Sequence, residues 1–74
     1  MSVNFEYYKA FFYVVKYKKI STAAEKLYVS QPAVTQTIQK LEEQMGGALL
    51  VRTKAGIELT EFGRKLYEII KESV

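Results

Sequence analysis

Apolar residues recur at steps of three and four along four stretches of this chain, and that spacing predicts four amphipathic helices. The first helix is expected from Phe5 to about Tyr17. Between the third and fourth stretches the pattern changes to two short apolar segments, which predicts a pair of strands. The chain is therefore expected to be mainly α. The expected apolar face of the first helix consists of Phe5, Tyr8, Phe11, Phe12 and Val15.

The second helix is expected to be short and to follow a break at Lys18-Lys19-Ile20. Ser21 or Thr22 can supply an N-cap oxygen, and Thr22 with Glu25 fits a capping box. The two alanines that follow Thr22 would let another helix approach closely.

The third helix is expected to begin at Ser30, which can cap it, and Pro32 fits the first turn, where its missing N–H costs nothing. Gly46-Gly47 should end it. Its apolar residues share one side, and the other side is polar and largely uncharged. The inward residues are Val34, Ile38, Leu41 and Met45, and the outward ones include Gln31, Thr35, Gln36 and Gln39.

The two apolar segments, 49–51 and 57–59, flank a turn at 52–56, which suits a small hairpin with Gly56 at a positive φ. Because two strands alone are marginal in water, the hairpin must lean its leucines on the helices. The order of elements predicts a winged helix-turn-helix. Such a domain has a three-helix core, a two-stranded β wing and, here, a C-terminal linker or dimerisation helix.

The last helix is expected to begin at Glu61 with Thr60 as its cap, and it carries two adjacent apolar stripes. The first stripe can cover the core, and the second predicts contact with the same helix of a second chain. One wide stripe folded wholly onto its own domain is the alternative. The helical pattern continues to the last residue, which suggests a domain at 1–60 and the start of a linker helix at 61–74. The first stripe is Phe62, Leu66 and Ile69, and the second is Tyr67, Ile70 and Val74.

Composition removes several classes of protein from consideration. The 74 residues suffice for one domain. The absence of cysteine and histidine removes the usual zinc ligands and the usual general base, so we expect neither an enzyme nor a cofactor. The net charge of +3 favours a polyanionic partner. With no apolar run long enough for a membrane span and no signal peptide, the protein is expected in the cytoplasm.

The polar side of the third helix has the chemistry that reads base edges in DNA. A glutamine amide can pair with adenine N6 and N7, and threonine can hydrogen-bond a base or pack its methyl group on thymine. Thr35, Gln36 and Gln39 are therefore candidate base-reading residues, although such residues are also ordinary on a solvated face.

Backbone N–H groups at two helix starts are candidate phosphate ligands, because a helix N-terminus carries a partial positive charge. These starts are Ser30-Gln31 and Ser21-Thr22. The cations expected along the same side are Lys40, Arg52 and Lys54.

The run from Ser21 to Val34, STAAEKLYVSQPAV, resembles the signature of LysR-type transcriptional regulators. The resemblance covers nearly the whole chain and implies bacterial transcription control. It implies that the third helix enters the major groove, that the wing lies near the minor groove, and that a long fourth helix pairs two subunits. An effector-sensing domain usually follows in that family and is absent from these residues, so no small-molecule ligand is inferred. Further matching positions are Ile38, Leu41-Glu42, Gly46, Leu49-Leu50, Arg52-Thr53, Gly56, Leu59-Thr60-Glu61 and Gly63.

Carried over position by position, the resemblance implies a wing contact near Lys54 and Ala55. Gln36, Ala55 and Ala48 stand where the family often has a basic residue. Since each neutralised phosphate contributes roughly 0.9 to the slope of log affinity against log salt, we expect weaker binding and a flatter salt dependence. Lys54 is expected to serve in place of the wing arginine. The base-facing positions that the resemblance implies are Gln31, Pro32, Ala33, Thr35 and Gln36.

Two functions remain open on the sequence. The first is sequence-specific binding of double-stranded DNA by a homodimer. The second is a winged-helix module used for protein contact, since a fold does not establish function and the missing cations fit a lapsed DNA site. Catalysis has little support, because the glutamates and tyrosines form no recognisable acid-base motif.

Overall fold

The computed structural model describes residues 5–72 and has the predicted order of elements. Three helices are followed by an antiparallel hairpin and a fourth helix. The predicted winged helix-turn-helix architecture is confirmed. The elements are α1 (Phe5–Tyr17), α2 (Ile20–Leu27), α3 (Gln31–Met45), β1 (Leu50–Thr53), β2 (Gly56–Leu59) and α4 (Glu61–Ile70).

The core lies where α1, α2 and α3 pack on one another. On α1 the buried residues are Ala10, Phe11 and Val14, whereas Phe5 is 57% exposed. The predicted apolar face of α1 is therefore wrong in part. The helix turns two small side chains, Ala10 and Val14, into the tight contacts of the core, which leaves several of its aromatic rings at the rim.

The predicted cap of α2 is wrong. The helix begins at Ile20, its N-cap is Lys19, and no side chain caps it. Lys18 takes the left-handed conformation (φ 59°), which reverses the chain within two residues of α1. Ile20 then packs against the core, so the helix starts there and Ser21 and Thr22 fall inside its first turn.

The predicted ends of α3 are confirmed. The N–H of Ala33 donates to Ser30 Oγ over 3.2 Å, and Pro32 lies in the first turn. Gly46 closes the helix with φ +88°. Because this conformation strains residues with a Cβ, glycine at this position lets the chain leave the helix at low cost.

The hairpin has the predicted form and leans on the core through Ile57, which is 7% exposed. Its register pairs Thr53 with Gly56, so Lys54 and Ala55 form the tip. Gly56 has φ +121°, as predicted. The N–H of Ile57 donates to the carbonyl of Lys18 over 3.3 Å, which attaches the wing to the corner between α1 and α2.

Helix α4 buries a different face from the one that its apolar stripes predicted. Its buried residues are Gly63, Leu66 and Ile70, while Ile69 is 70% exposed. The assignment of Ile69 to the core is therefore wrong, and Ile70 lies in the core of its own chain. The physical cause is Gly63, which admits the backbone of Leu49 on that side.

The remaining apolar residues of α4 lie at the edge of the core. Tyr67 is half-buried and its ring stacks on Phe12 with 5.6 Å between the centroids. Phe62 is 42% exposed. Val74, the third residue of the predicted dimer stripe, lies outside the described residues.

The segment between α3 and β1 is held by α4. Thr60 Oγ1 donates to the carbonyl of Ala48 over 2.7 Å and accepts the N–H of Gly63 over 2.9 Å. The N–H of Thr60 donates to the carbonyl of Leu49 over 3.0 Å. A single threonine thus caps α4 and joins it to the start of the wing.

We predict that Gly63→Ala lowers the free energy of unfolding by more than about 2 kcal/mol, because a Cβ there overlaps the carbonyl of Leu49 and backbone cannot swing aside. Thermal denaturation measures the loss. Gly47→Ala is the matched control. Its Cβ meets only the Phe62 ring, at 3.2 Å, and that partly exposed ring can move. Equal stability of the two variants would contradict the close packing of α4.

Candidate nucleic-acid interface

The outward side of α3 is formed mainly by uncharged polar residues, with Lys40 and, near its end, Glu43 as the charged ones. An α-helix has about 3.6 residues per turn, so Gln36 lies opposite the buried side of Val34, Ile38 and Leu41. Gln36 is exposed, and so are its neighbours on that face. These neighbours are Pro32, Gln39 and Lys40.

Gln31 and Thr35 lie on the flank of α3 that faces the wing. Gln31 is exposed and Thr35 is half-buried. Both line a shallow concavity with Pro32 and Gln36, and both also line the groove that contains Arg52 of β1. The structure therefore brings the polar face of α3 and the basic wing together.

Ala33 lies on the other flank of α3. It is half-buried and lines a groove with Tyr7 of α1 and Leu27 of α2. The structure thus separates Ala33 from the wing, although the resemblance placed it among the base-facing positions.

The N-terminus of α3 has few free backbone donors. Ser30 accepts the N–H of Ala33 through its side chain and the N–H of Val34 through its carbonyl. Pro32 has no N–H. Within residues 5–72, the N–H of Gln31 is therefore the backbone donor in this first turn that has no hydrogen-bond acceptor.

The N-terminus of α2 has more free backbone donors. Lys19 provides no side-chain acceptor, and its carbonyl accepts the N–H of Ala23 over 3.1 Å. In the part of the chain that the structure describes, the N–H groups of Ile20, Ser21 and Thr22 have no acceptor. The two helix starts that the sequence indicated are thus unequal, and α2 offers the larger set of donors.

The wing carries its charge at exposed positions. Arg52, Lys54 and Ala55 are all exposed, with Lys54 and Ala55 at the tip. Thr53 fixes the tip, because its Oγ1 accepts the N–H of Ala55 and donates to the carbonyl of Gly56, both over 3.1 Å.

Glu42 ties the wing to α3. Its Oε2 accepts the N–H of Leu49 over 2.8 Å and the N–H of Leu50 over 3.3 Å. The carboxylate is half-buried, and charge-assisted hydrogen bonds are stronger than neutral ones. Glu42 therefore sets the position of the wing relative to the polar face of α3.

The model of the bacterial regulatory helix-turn-helix proteins of the lysR family matches residues 5–64. The chain belongs to the LysR family. Among relatives, it is 43% identical over 61 residues to the HTH-type transcriptional regulator PcaQ of Agrobacterium fabrum, which covers 82% of this chain and 20% of PcaQ. It is 38% identical over 65 residues to the nitrogen assimilation regulatory protein nac of Escherichia coli, covering 88% of this chain and 21% of nac.

Solved LysR-type structures have the same architecture. The CbnR_DBD-DNA complex superposes with a TM-score of 0.86 and 38% identity, covering 93% of this chain and 79% of that one. Vibrio fischeri DarR in complex with DNA gives a TM-score of 0.90 and 33% identity, covering 97% of this chain and 25% of DarR. This LysR-family chain spans about a fifth of the length of PcaQ and nac.

Sequence reasoning missed three positions in this LysR-family domain. Glu42 appeared only as part of a matching motif. Lys18 and Lys19 were interpreted as a break between helices, yet both line the groove beside Arg52. Two adjacent lysines at a turn were the available signal.

None of the helices within residues 5–72 is long and apolar enough to cross a membrane.

One ion pair lies far along the chain from this surface. Glu68 accepts a hydrogen bond from Lys71 over 2.8 Å, and that hydrogen bond and the charge of Glu68 raise the pKa of Lys71. Both side chains are largely exposed, so the pair contributes little to stability.

We predict that Glu42→Ala lowers the free energy of unfolding by about 1–3 kcal/mol, because two N–H groups lose their acceptor. Urea denaturation measures the loss. Glu42→Gln should lose less than half as much, since both N–H groups donate to one oxygen that an amide can replace. The control is Glu43→Ala, at an exposed neighbour. A Glu42→Ala variant as stable as that control would disprove the role of Glu42.

Proposed function

We propose that this chain binds double-stranded DNA sequence-specifically in bacterial transcription regulation, with α3 in the major groove and the wing near the minor groove. One observation carries the proposal. The side of α3 opposite the core is exposed and polar, and it lies beside a basic wing in a fold that has been solved with DNA in CbnR and DarR. We further propose that the protein acts in the cytoplasm.

Gln36 is the residue best placed to read a base. It projects from the centre of the exposed side, so it would meet a groove floor first. Its amide can donate to adenine N7 and accept from N6 at the same time. Gln39 lies one turn closer to the wing, and Thr35 can present its methyl group to thymine.

The charges along α3 limit how much of the helix can contact base edges. Lys40 lies one turn after Gln36 on the exposed side, and Glu43 follows on that side and is exposed too. A carboxylate beside a phosphate is repelled, so the end of α3 from Glu43 onward should leave the groove. The candidate base-reading residues all lie before Glu43.

Phosphate contacts would hold the helix in place on both sides. Lys54 lies at the wing tip and Lys40 on the exposed side of α3, while Ser21 adds a hydroxyl at the start of α2. Such contacts position a protein without reading sequence. Selection of bound duplexes from a random pool tests binding and base preference together. Failure to bind any duplex at low salt, together with tight self-association, would favour the protein-contact module.

We predict that Gln36→Ala relaxes the preference at one or two base pairs and costs about 1–3 kcal/mol on the selected duplex only. Lys54→Ala should weaken binding to all duplexes alike and reduce the salt slope by roughly 0.9. Fluorescence anisotropy over a salt series separates the two effects. Unchanged affinity in both variants, on DNA that the parent binds, would exclude this docking.

We also propose that α4 pairs two copies of the chain. The supporting observation is Ile69, which is 70% exposed, together with Phe62, which lies two turns earlier on the same side of α4 and is 42% exposed. Tyr67, two residues earlier, lies on the other flank of α4 and is half-buried against Phe12. Ile70 contributes indirectly, because it holds α4 on its own domain.

We predict that Ile69→Lys shifts the chain from dimer to monomer and leaves the fold unchanged, since the side chain touches little of its own domain. Ile70→Ala should instead cost each chain about 2–5 kcal/mol of stability, as buried Ile→Ala changes do. Sedimentation equilibrium reports the first effect, and thermal denaturation the second. A parent chain that stays monomeric at all concentrations, or an Ile69→Lys variant that still dimerises, would contradict the pairing.

A further inference from the structure

Two lysines at the corner between α1 and α2 occupy backbone positions that other residues fill at lower cost. Lys18 has φ 59°, a left-handed conformation that favours glycine. Lys19 is the N-cap of α2. A Ser, Thr, Asp or Asn side chain there would accept a backbone N–H, whereas the lysine side chain accepts none. Departures from local preference at two successive positions point to a function for the side chains.

Both lysines line one groove together with Arg52 of β1. No carboxylate lines this groove, whose other polar walls are Ser21, Gln31, Thr35 and Thr53. Within residues 5–72, neither lysine nor Arg52 forms an ion pair. Three cations therefore face one space without a neutralising partner, which suits an anion.

The wing and the corner are held together, so the three cations keep a fixed relation. The N–H of Ile57 donates to the carbonyl of Lys18, and Ile57 pairs with Arg52 across the hairpin. A Cβ at Gly56 would lie 3.0 Å from the same carbonyl, so the two backbones are in close contact. The groove is a preformed feature of the domain.

We propose that Lys18, Lys19 and Arg52 form a clamp for a DNA backbone phosphate next to the bases that α3 reads. The inference rests on the proposed DNA binding. Its location follows from continuity, since Gln31 and Thr35 line both this groove and the concavity at the outer face of α3. The clamp supplies cations at the corner between α1 and α2. Gln36 on α3 and Ala55 at the wing tip are uncharged, so they supply none.

The decisive variant is Lys18→Gly/Lys19→Ser, because stability and DNA affinity should change in opposite directions. Relief of the left-handed lysine and a new N-cap should raise Tm by roughly 5 °C. Loss of two phosphate contacts should lower the salt slope by about 1.8, so that between 50 and 200 mM salt the parent loses about 12-fold more affinity than the variant. The probe is a duplex that the parent selects from a random pool.

Two double variants control for net charge and for backbone preference. Lys9→Gln/Lys65→Gln removes the same charge from α1 and α4, outside the groove, and should leave most of the salt slope in place. Lys18→Arg/Lys19→Arg keeps both charges, so it should retain the parent's slope and show no rise in Tm.

The outcomes separate this inference from the function on which it rests. If the parent binds no duplex, the proposed DNA binding fails. If the parent binds and Lys18→Gly/Lys19→Ser keeps the parent's slope, or loses no more than Lys9→Gln/Lys65→Gln, the clamp alone is refuted. A lower Tm in the Gly/Ser variant would overturn the claim that these lysines are held at a cost in stability.

Discussion

The hydrogen bonds around Leu49 are the constraint on which the arrangement of this domain depends. Glu42 of α3 accepts the N–H of Leu49, Thr60 donates to its carbonyl, and Gly63 lets α4 pack on its backbone. The side chain of Leu49 is fully buried in the core. Helices α3 and α4 thus both contact the residue that precedes β1. As a result the wing, the polar face of α3 and helix α4 keep a fixed relation although only a four-residue segment, 46–49, joins α3 to the wing.

Periodicity and cap residues predicted most of the fold. The ends of α3 follow from Ser30, Pro32 and Gly46, whose preferences act locally and agree with the apolar spacing. The hairpin followed in the same way from Gly56. The outward position of Gln36 was predictable too, since a 3.6-residue period places it opposite three aliphatic residues once these are buried.

Tertiary contacts determined the features of the fold that sequence patterns did not predict. The start of α2 was mispredicted because chain reversal at Lys18 and burial of Ile20 outweighed the capping residues Ser21 and Thr22. The buried face of α4 was mispredicted because an apolar pattern gives no weight to glycine, and Gly63 marks the face of closest approach. The role of Glu42 depends on Leu49 and Leu50, which lie beyond the end of α3, so the helical period does not predict the contact.

The polar side of α3 is held exposed beside a basic wing and corner, and we propose that this arrangement lets it enter the major groove. Amide chemical-shift mapping of the 15N-labelled chain with its selected duplex tests this most directly. Insertion of α3 into the groove should give the largest changes at the side-chain amides of Gln31, Gln36 and Gln39, at the wing tip and around Lys18-Lys19. Changes confined to α1 and α4 at saturating DNA, with the glutamine amides of α3 unmoved, would contradict it.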